Sequence, residues 1–135
     1  MLFVSNNEIN WVDDPKHDMF AGVNDKLPKN KSADIIFAKI LPGHTLPPHW
    51  HSRPLDIDGK DNGYESFFFF QGGHILLIQN SEQKEYNTTE PFTLTFFSGN
   101  YDKHGIKNLG NDPVVFQVLC APAFDENEEY FDSEG

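Results

Sequence analysis

Glu65-Ser66-Phe67-Phe68-Phe69-Phe70-Gln71, then Gly72-Gly73, then His74-Ile75-Leu76-Leu77-Ile78-Gln79: this stretch decides the fold class. Aromatic and branched residues suit a pleated, packed surface, and each apolar run has strand length rather than helix length. The glycine pair between them predicts a hairpin turn. The same pattern continues on both sides. Ala33–Leu41 is a strand candidate closed by Pro42-Gly43, and Phe92–Phe97 and Val114–Cys120 complete the set. Apolar residues at consecutive positions predict strands buried on both faces, as in a barrel or a sandwich. Weak helical patterning occurs only in the first thirty residues and in the tail. The fold class expected is all-β.

The chain has 135 residues, enough for a single domain, and its 13 phenylalanines supply a bulky core. Its one cysteine, Cys120, excludes a disulfide framework and a Cys-rich zinc module. Alternation with Phe116 and Val118 predicts that Cys120 is a small buried hydrophobe. Ten basic residues stand against 21 acidic ones, a formal net charge of −11. Such a surface repels phosphate backbones and anionic lipid, so neither nucleic acid nor membrane is an expected partner. No apolar run approaches the roughly 18 residues of a membrane span. The start, Met1 to Glu8, lacks the basic and apolar regions of a secretory signal, which predicts a cytoplasmic protein. From Phe124 onward the chain carries Asp125, Glu126, Glu128, Glu129, Asp132 and Glu134 with no basic residue. This segment, 122–135, reads first as a solvated acidic tail. The second reading docks it through Phe124, Tyr130 and Phe131.

The histidines carry the chemical signal. His49 and His51 flank Trp50 directly after Pro47-Pro48. On a strand, residues two apart share a face, so both imidazoles project into one space and Trp50 turns away. Glu65 offers a carboxylate and His104 a further imidazole. Three imidazoles and one carboxylate form a mixed nitrogen and oxygen set that suits Fe, Mn, Ni, Cu or Zn. His44 has the opposite parity, His74 opens a strand, and His17 lies in an Asp-rich segment; all three read as structural or surface residues. Arg53 shares the parity of His49 and His51. It reads equally as a contact for a substrate carboxylate or as the partner of a surface acid. Asp56–Gly63 departs from a calcium loop at Lys60 and Phe67, and reads as a solvated turn that can act as a flap.

Gly43, five residues, His49-Trp50-His51, then Glu65, six residues and Gly72 resemble the first metal-binding motif of the cupin superfamily. The gap from Ser52 to Tyr64 is longer than usual for that motif. His104, three residues and Asn108 resemble the end of the second motif, with Phe97 where a proline is usual and four residues between Gly99 and His104. The resemblance covers roughly residues 33–121 and implies a single small β-barrel of jelly-roll type. It also implies that His49, His51, Glu65 and His104 hold one divalent transition metal per chain, with iron ahead of Mn, Ni, Zn or Cu, and that two chains pair as a homodimer.

Such a metal keeps open positions for a small oxygen-bearing ligand. The expected function is an enzyme acting on a small carbonyl, hydroxyl or carboxylate metabolite. A dioxygenase stands ahead of an isomerase or lyase. Tyr64, Tyr101 and Arg53 are the candidate substrate contacts. The alternatives are a non-catalytic metabolite-binding or sensor protein and a metal-free sugar isomerase.

Overall fold

The computed structural model describes residues 6–25, 27, 33–52, 59, 63–71, 73–87, 95–99 and 101–131. Eleven strands carry the architecture: β1 (Asn10–Asp14), β2 (Met19–Val23), β3 (Asp34–Ile40), β4 (Thr45–His51), β5 (Tyr64–Gln71), β6 (His74–Gln79), β7 (Glu82–Asn87), β8 (Thr95–Gly99), β9 (His104–Asn108), β10 (Val114–Ala121) and β11 (Glu129–Phe131). They form two antiparallel sheets, β1-β2-β3-β10-β5-β8 and β11-β4-β9-β6-β7. The described residues contain three single-turn 3-10 segments and no α-helix. No helix among them is long and apolar enough to cross a membrane. The all-β reading holds.

The core lies between the sheets. Burial along β10 alternates without a break, with Val114, Phe116, Val118 and Cys120 inside. From the same sheet come Ala38, Ile40, Phe67 and Phe69; the facing sheet contributes Leu46, Ile75, Leu77 and Ile106. This is a single-layer pattern, and it corrects the expectation of strands buried on both faces. Phe68, between Phe67 and Phe69, is 39% exposed. Phenylalanine runs look doubly buried in sequence, yet the outer row here has no second layer among the described residues.

The expected hairpin at Gly72-Gly73 is also corrected. β5 belongs to the six-stranded sheet and β6 to the other, so the chain crosses between sheets at this point. Both edges of β5 are already filled, by β10 and β8. The tight hairpin comes one strand later, between β6 and β7, where Asn80 takes a left-handed φ of 53°. The first thirty residues supply β1 and β2 where helical patterning was expected, so the sheets extend beyond residues 33–121. Gly22 lets this hairpin dock: a Cβ there would lie 2.7 Å from Ile9 and 2.8 Å from Phe37.

Candidate metal centre

Strand parity builds the first half of the site. On β4, His49 and His51 are buried on the inner face, while Trp50 points out and stacks on Tyr130 with ring centroids 5.8 Å apart. Pro47 and Pro48 cannot donate to a ladder, and the register of β4 against β9 shifts between Leu46 and His49. That bulge sets His49 directly opposite His104 of β9. The two rings lie 4.2 Å apart, and His51 is 5.1 Å from His49 and 5.4 Å from His104. One ring nitrogen from each of the three comes within 4.8 Å of the others.

Hydrogen bonds select which nitrogens converge. Nδ1 of His49 donates to the carbonyl of Pro47 at 2.7 Å, and Nδ1 of His104 to the carbonyl of Asp102 at 3.2 Å. A carbonyl only accepts, so each Nε2 carries a lone pair and points inward, the usual support for a metal-bound imidazole. Burial first, then the repulsion that two protonated rings this close would suffer, His104 beside His49, pushes the pKa of His49 down to about 3, which keeps it neutral. Nε2 of His51 is buried without a hydrogen bond; Glu65 Oε1 sits 2.5 Å away, out of line for one. The other Glu65 oxygen is 3.6 Å from His104 Nε2. Glu65 reaches this point from β5 on the facing sheet and is itself buried. The structure thus gathers His49, His51, His104 and Glu65. The buried imidazole cluster has the donor chemistry to hold a metal ion.

A second half of the site was not foreseen. His17, assigned to structure or surface by its Asp-rich surroundings, lines the same cavity, as do Asp14 and Glu129. Nε2 of His17 donates to Glu129 at 2.8 and 2.9 Å, and its Nδ1 donates to Asp14 at 2.8 Å. Burial opposes a charged imidazole, but the two carboxylates outweigh it and raise the pKa of His17. Burial likewise opposes the Glu129 anion, and His17 outweighs it, so that carboxyl is held below its ordinary value. Glu129 belongs to the segment first read as solvated tail. Instead β11 pairs with β4, Phe131 against His49 and Glu129 against His51, and so carries Glu129 inside. The alternation of Glu129, Tyr130 and Phe131 was the one available signal.

The remaining candidates lie elsewhere. Tyr64 faces out of β5 and Tyr101 is 61% exposed, its backbone N–H bonded to the carbonyl of His51. Neither lines the cavity. Arg53 and most of the Asp56–Gly63 loop fall outside the described residues. His44 and His74 are on the surface, paired with Asp18 and Glu85. Cys120 is buried and faces the cavity. The cavity, about 230 Å³, is walled mostly by apolar side chains such as Phe67, Phe116 and Phe124. It suits a small metabolite, being below the roughly 300–1,000 Å³ of pockets that enclose drug-sized ligands.

Neither a protein-family model nor a curated protein matches the sequence. Solved structures do match. The polyketide cyclase RemF from Streptomyces resistomycificus aligns with a TM-score of 0.70 at 12% identity, over 100% of this chain and 87% of that one. A predicted oxalate decarboxylase from Thermotoga maritima gives 0.67 at 17% identity, over 90% and 99%. A nucleoside dehydratase from Streptomyces gives 0.64 at 16% identity, over 99% and 95%. The chain has the cupin fold. Its imidazole cluster sits inside this cupin barrel, with Glu65 supplied by one sheet and all three histidines by the other. At such identities the likeness concerns the fold alone.

Proposed function

We propose that this chain is a cupin metalloenzyme that acts on a small carbonyl- or hydroxyl-bearing metabolite. One divalent transition metal is held by His49, His51, His104 and Glu65. The convergence of three buried imidazoles in a cavity walled largely by apolar side chains carries the reading. When bound, such a metal polarises a carbonyl and eases loss of a neighbouring proton. The chain's own residues prepare that chemistry. The carbonyls of Pro47 and Asp102 fix the tautomers of His49 and His104. Phe67 and Phe116 keep water away, which strengthens each polar contact within. The carboxylate of Glu129, which stands outside the proposed ligand set, can accept a proton from a bound substrate.

Elimination or isomerisation is therefore the first reading. It is supported by the Glu129–His17 pair and by relatives of the same fold described as a dehydratase and a cyclase. Dioxygen activation at iron is the second, supported by the donor set and the apolar walls. A sensor that holds the same metabolite without turnover uses the same pocket. We also propose a homodimer, supported by the exposed Phe68 on the outer face of the six-stranded sheet.

The test is metal content by mass spectrometry on untagged protein and on His49→Ala. Near-stoichiometric metal is expected in the parent protein and at most a tenth of it in the variant, with the β-sheet circular dichroism unchanged. Full metal in His49→Ala overturns the assignment. Iron directs the next assay to oxygen uptake, whereas nickel, manganese or zinc directs it to proton exchange at carbon.

A further inference from the structure

The same cavity holds a second polar group, Asp14, His17 and Glu129, that lies outside the three-imidazole cluster and meets it where Glu129 approaches His49. This group is built from chain segments far apart in sequence: the end of β1 with the 3-10 turn Pro15–His17, and the edge strand β11. The side chain of Glu129 is 1% exposed, and it reaches from His17 and Lys16 on one side toward His49 on the other. His17 Nε2 bonds both of its oxygens at 2.8 and 2.9 Å, Lys16 approaches Oε1 at 3.5 Å, and His49 Nε2 lies 3.7 Å from Oε2. Asp14 holds the far side of the His17 ring at 2.8 Å. A carboxylate has about four acceptor directions, so His17 and Lys16 leave Oε2 with capacity on the side turned to the imidazoles. Burying a carboxylate is costly, and this one is fixed in place with an acceptor oxygen beside the proposed metal position.

Resting on the metalloenzyme reading above, we propose that Glu129 is the substrate-positioning acceptor of this pocket and selects a hydroxy-carbonyl compound. The carbonyl oxygen faces the three imidazoles, and a hydroxyl on the adjoining carbon donates to Glu129 Oε2. Asp14 and His17 keep the carboxylate turned inward. The group offered to Glu129 is a donor. A carboxylate or phosphate at that end meets a like charge in an apolar cavity, and an ether leaves a buried acceptor unpaired. Apolar walls formed by Met19, Ile36, Phe67, Phe116 and Phe124 receive the carbon skeleton. A site built to bind a hydroxyl rejects the analogue that lacks it far more strongly than a purely apolar pocket rejects a change of size.

Calorimetric titration of the full-length metal-loaded protein tests this, with phenacyl alcohol and its methyl ether as probes. Metal content is measured on every sample. The alcohol is expected to bind at least about tenfold more tightly than the ether. In Glu129→Gln the ratio falls below about threefold while metal content is unchanged, because the charged acceptor is lost and the ligand set is not. Glu129→Asp, which keeps the charge but withdraws it by a methylene, gives an intermediate ratio and covers the case in which the Gln variant does not fold. Equal binding of alcohol and ether by the parent protein, binding of neither, or a ratio unchanged in Glu129→Gln overturns the proposal. Loss of metal in Glu129→Gln makes Glu129 a ligand and overturns it as well. A parent protein without metal refutes the metalloenzyme reading instead, and the alcohol-to-ether ratio of that metal-free protein still reports on Glu129.

Discussion

Asn108 offers the sharpest test of how the barrel supports its site. It is 1% exposed at the end of β9. Its side-chain amide donates to the carbonyls of Ile40, at 3.0 Å, and Asp112, at 2.8 Å. Its Oδ1 accepts the N–H of Gly110 at 2.9 Å. One side chain thus ties the end of β3 to the turn that leads into β10. Replacing it with Ala removes these bonds and leaves the buried Ile40 carbonyl without its side-chain partner. At about 1 kcal/mol net for each bond, and more for a buried orphan, Asn108→Ala should lose about 3 kcal/mol of folding stability. For a domain of this length that corresponds to a drop in Tm of about 10 °C. Asn108→Asp keeps the acceptor but turns negative oxygen toward two carbonyls, so it should be no better than Ala. Urea and thermal unfolding followed by circular dichroism measure both variants. Metal content below the transition should stay at the parent level, because His104 is oriented by the Asp102 carbonyl rather than by Asn108. A loss of less than about 0.5 kcal/mol in Asn108→Ala refutes the reasoning, since it would mean that these groups find other partners at no cost.

Acidification should destabilise the metal-free protein through His49. Its folded pKa is depressed to about 3. The unfolded chain therefore takes up the proton first, and stability falls as pH drops from about 6.5, by up to about 1.4 kcal/mol per pH unit. Urea midpoints between about pH 6.5 and pH 4 should show this slope in the parent protein and a shallower one in His49→Phe; identical slopes contradict a buried neutral imidazole. Gly105→Ala should damage the site from a distance. Its Cβ would lie 3.0 Å from the Leu46 carbonyl and 3.1 Å from Pro48 N, so β4 must move away from β9 and His49 from His104. Metal affinity should fall at least about tenfold, read by competition with a chelator; unchanged affinity means that the bulge tolerates the methyl group. On the surface, the His74–Glu85 contact, 2.6 Å long and exposed, should matter little. His74→Ala should shift stability by less than about 1 kcal/mol in the same unfolding assay.

The two halves of the site differ in how they can be read, and the reason is geometric. His49 and His51 share a face because strand parity has a period of two. Glu65 keeps the six-residue spacing to Gly72 and His104 the three-residue spacing to Asn108 that the cupin motifs use, although the gaps that precede both are longer. Each of these spacings is short in sequence, so residue order reveals it, even though the residues come from three strands. The inward set of β10, Phe116, Val118 and Cys120, was legible for the same reason, whereas Val115 and Leu119 beside them are only half-buried, so consecutive apolar residues overstate burial. Gly72-Gly73 misled because two glycines between apolar runs serve a hairpin and a corner between sheets equally well. Only the occupied edges of β5 decide between them, and edge occupancy is a property of the assembled sheet.

Glu129 and His17 depend on assembly still more, since 112 positions separate them and no motif spans that interval. What brings them together is the pairing of three residues of β11 with β4. In that register Glu129 points in and Tyr130 points out against Trp50. A slip of one residue would reverse the faces, placing Tyr130 in the cavity and Glu129 in solvent. Stacking of Tyr130 on Trp50 and the His17–Glu129 bonds resist that slip from opposite faces. Neither restraint touches the ligand atoms of His51 or His104. It follows that the residue facing the cavity from β11 can change with β11 alone, without altering strand parity on β4 or the positions of Glu65 and His104. The proposed metal-holding half is written into individual strands, and the proposed substrate-selecting half into the register of an edge.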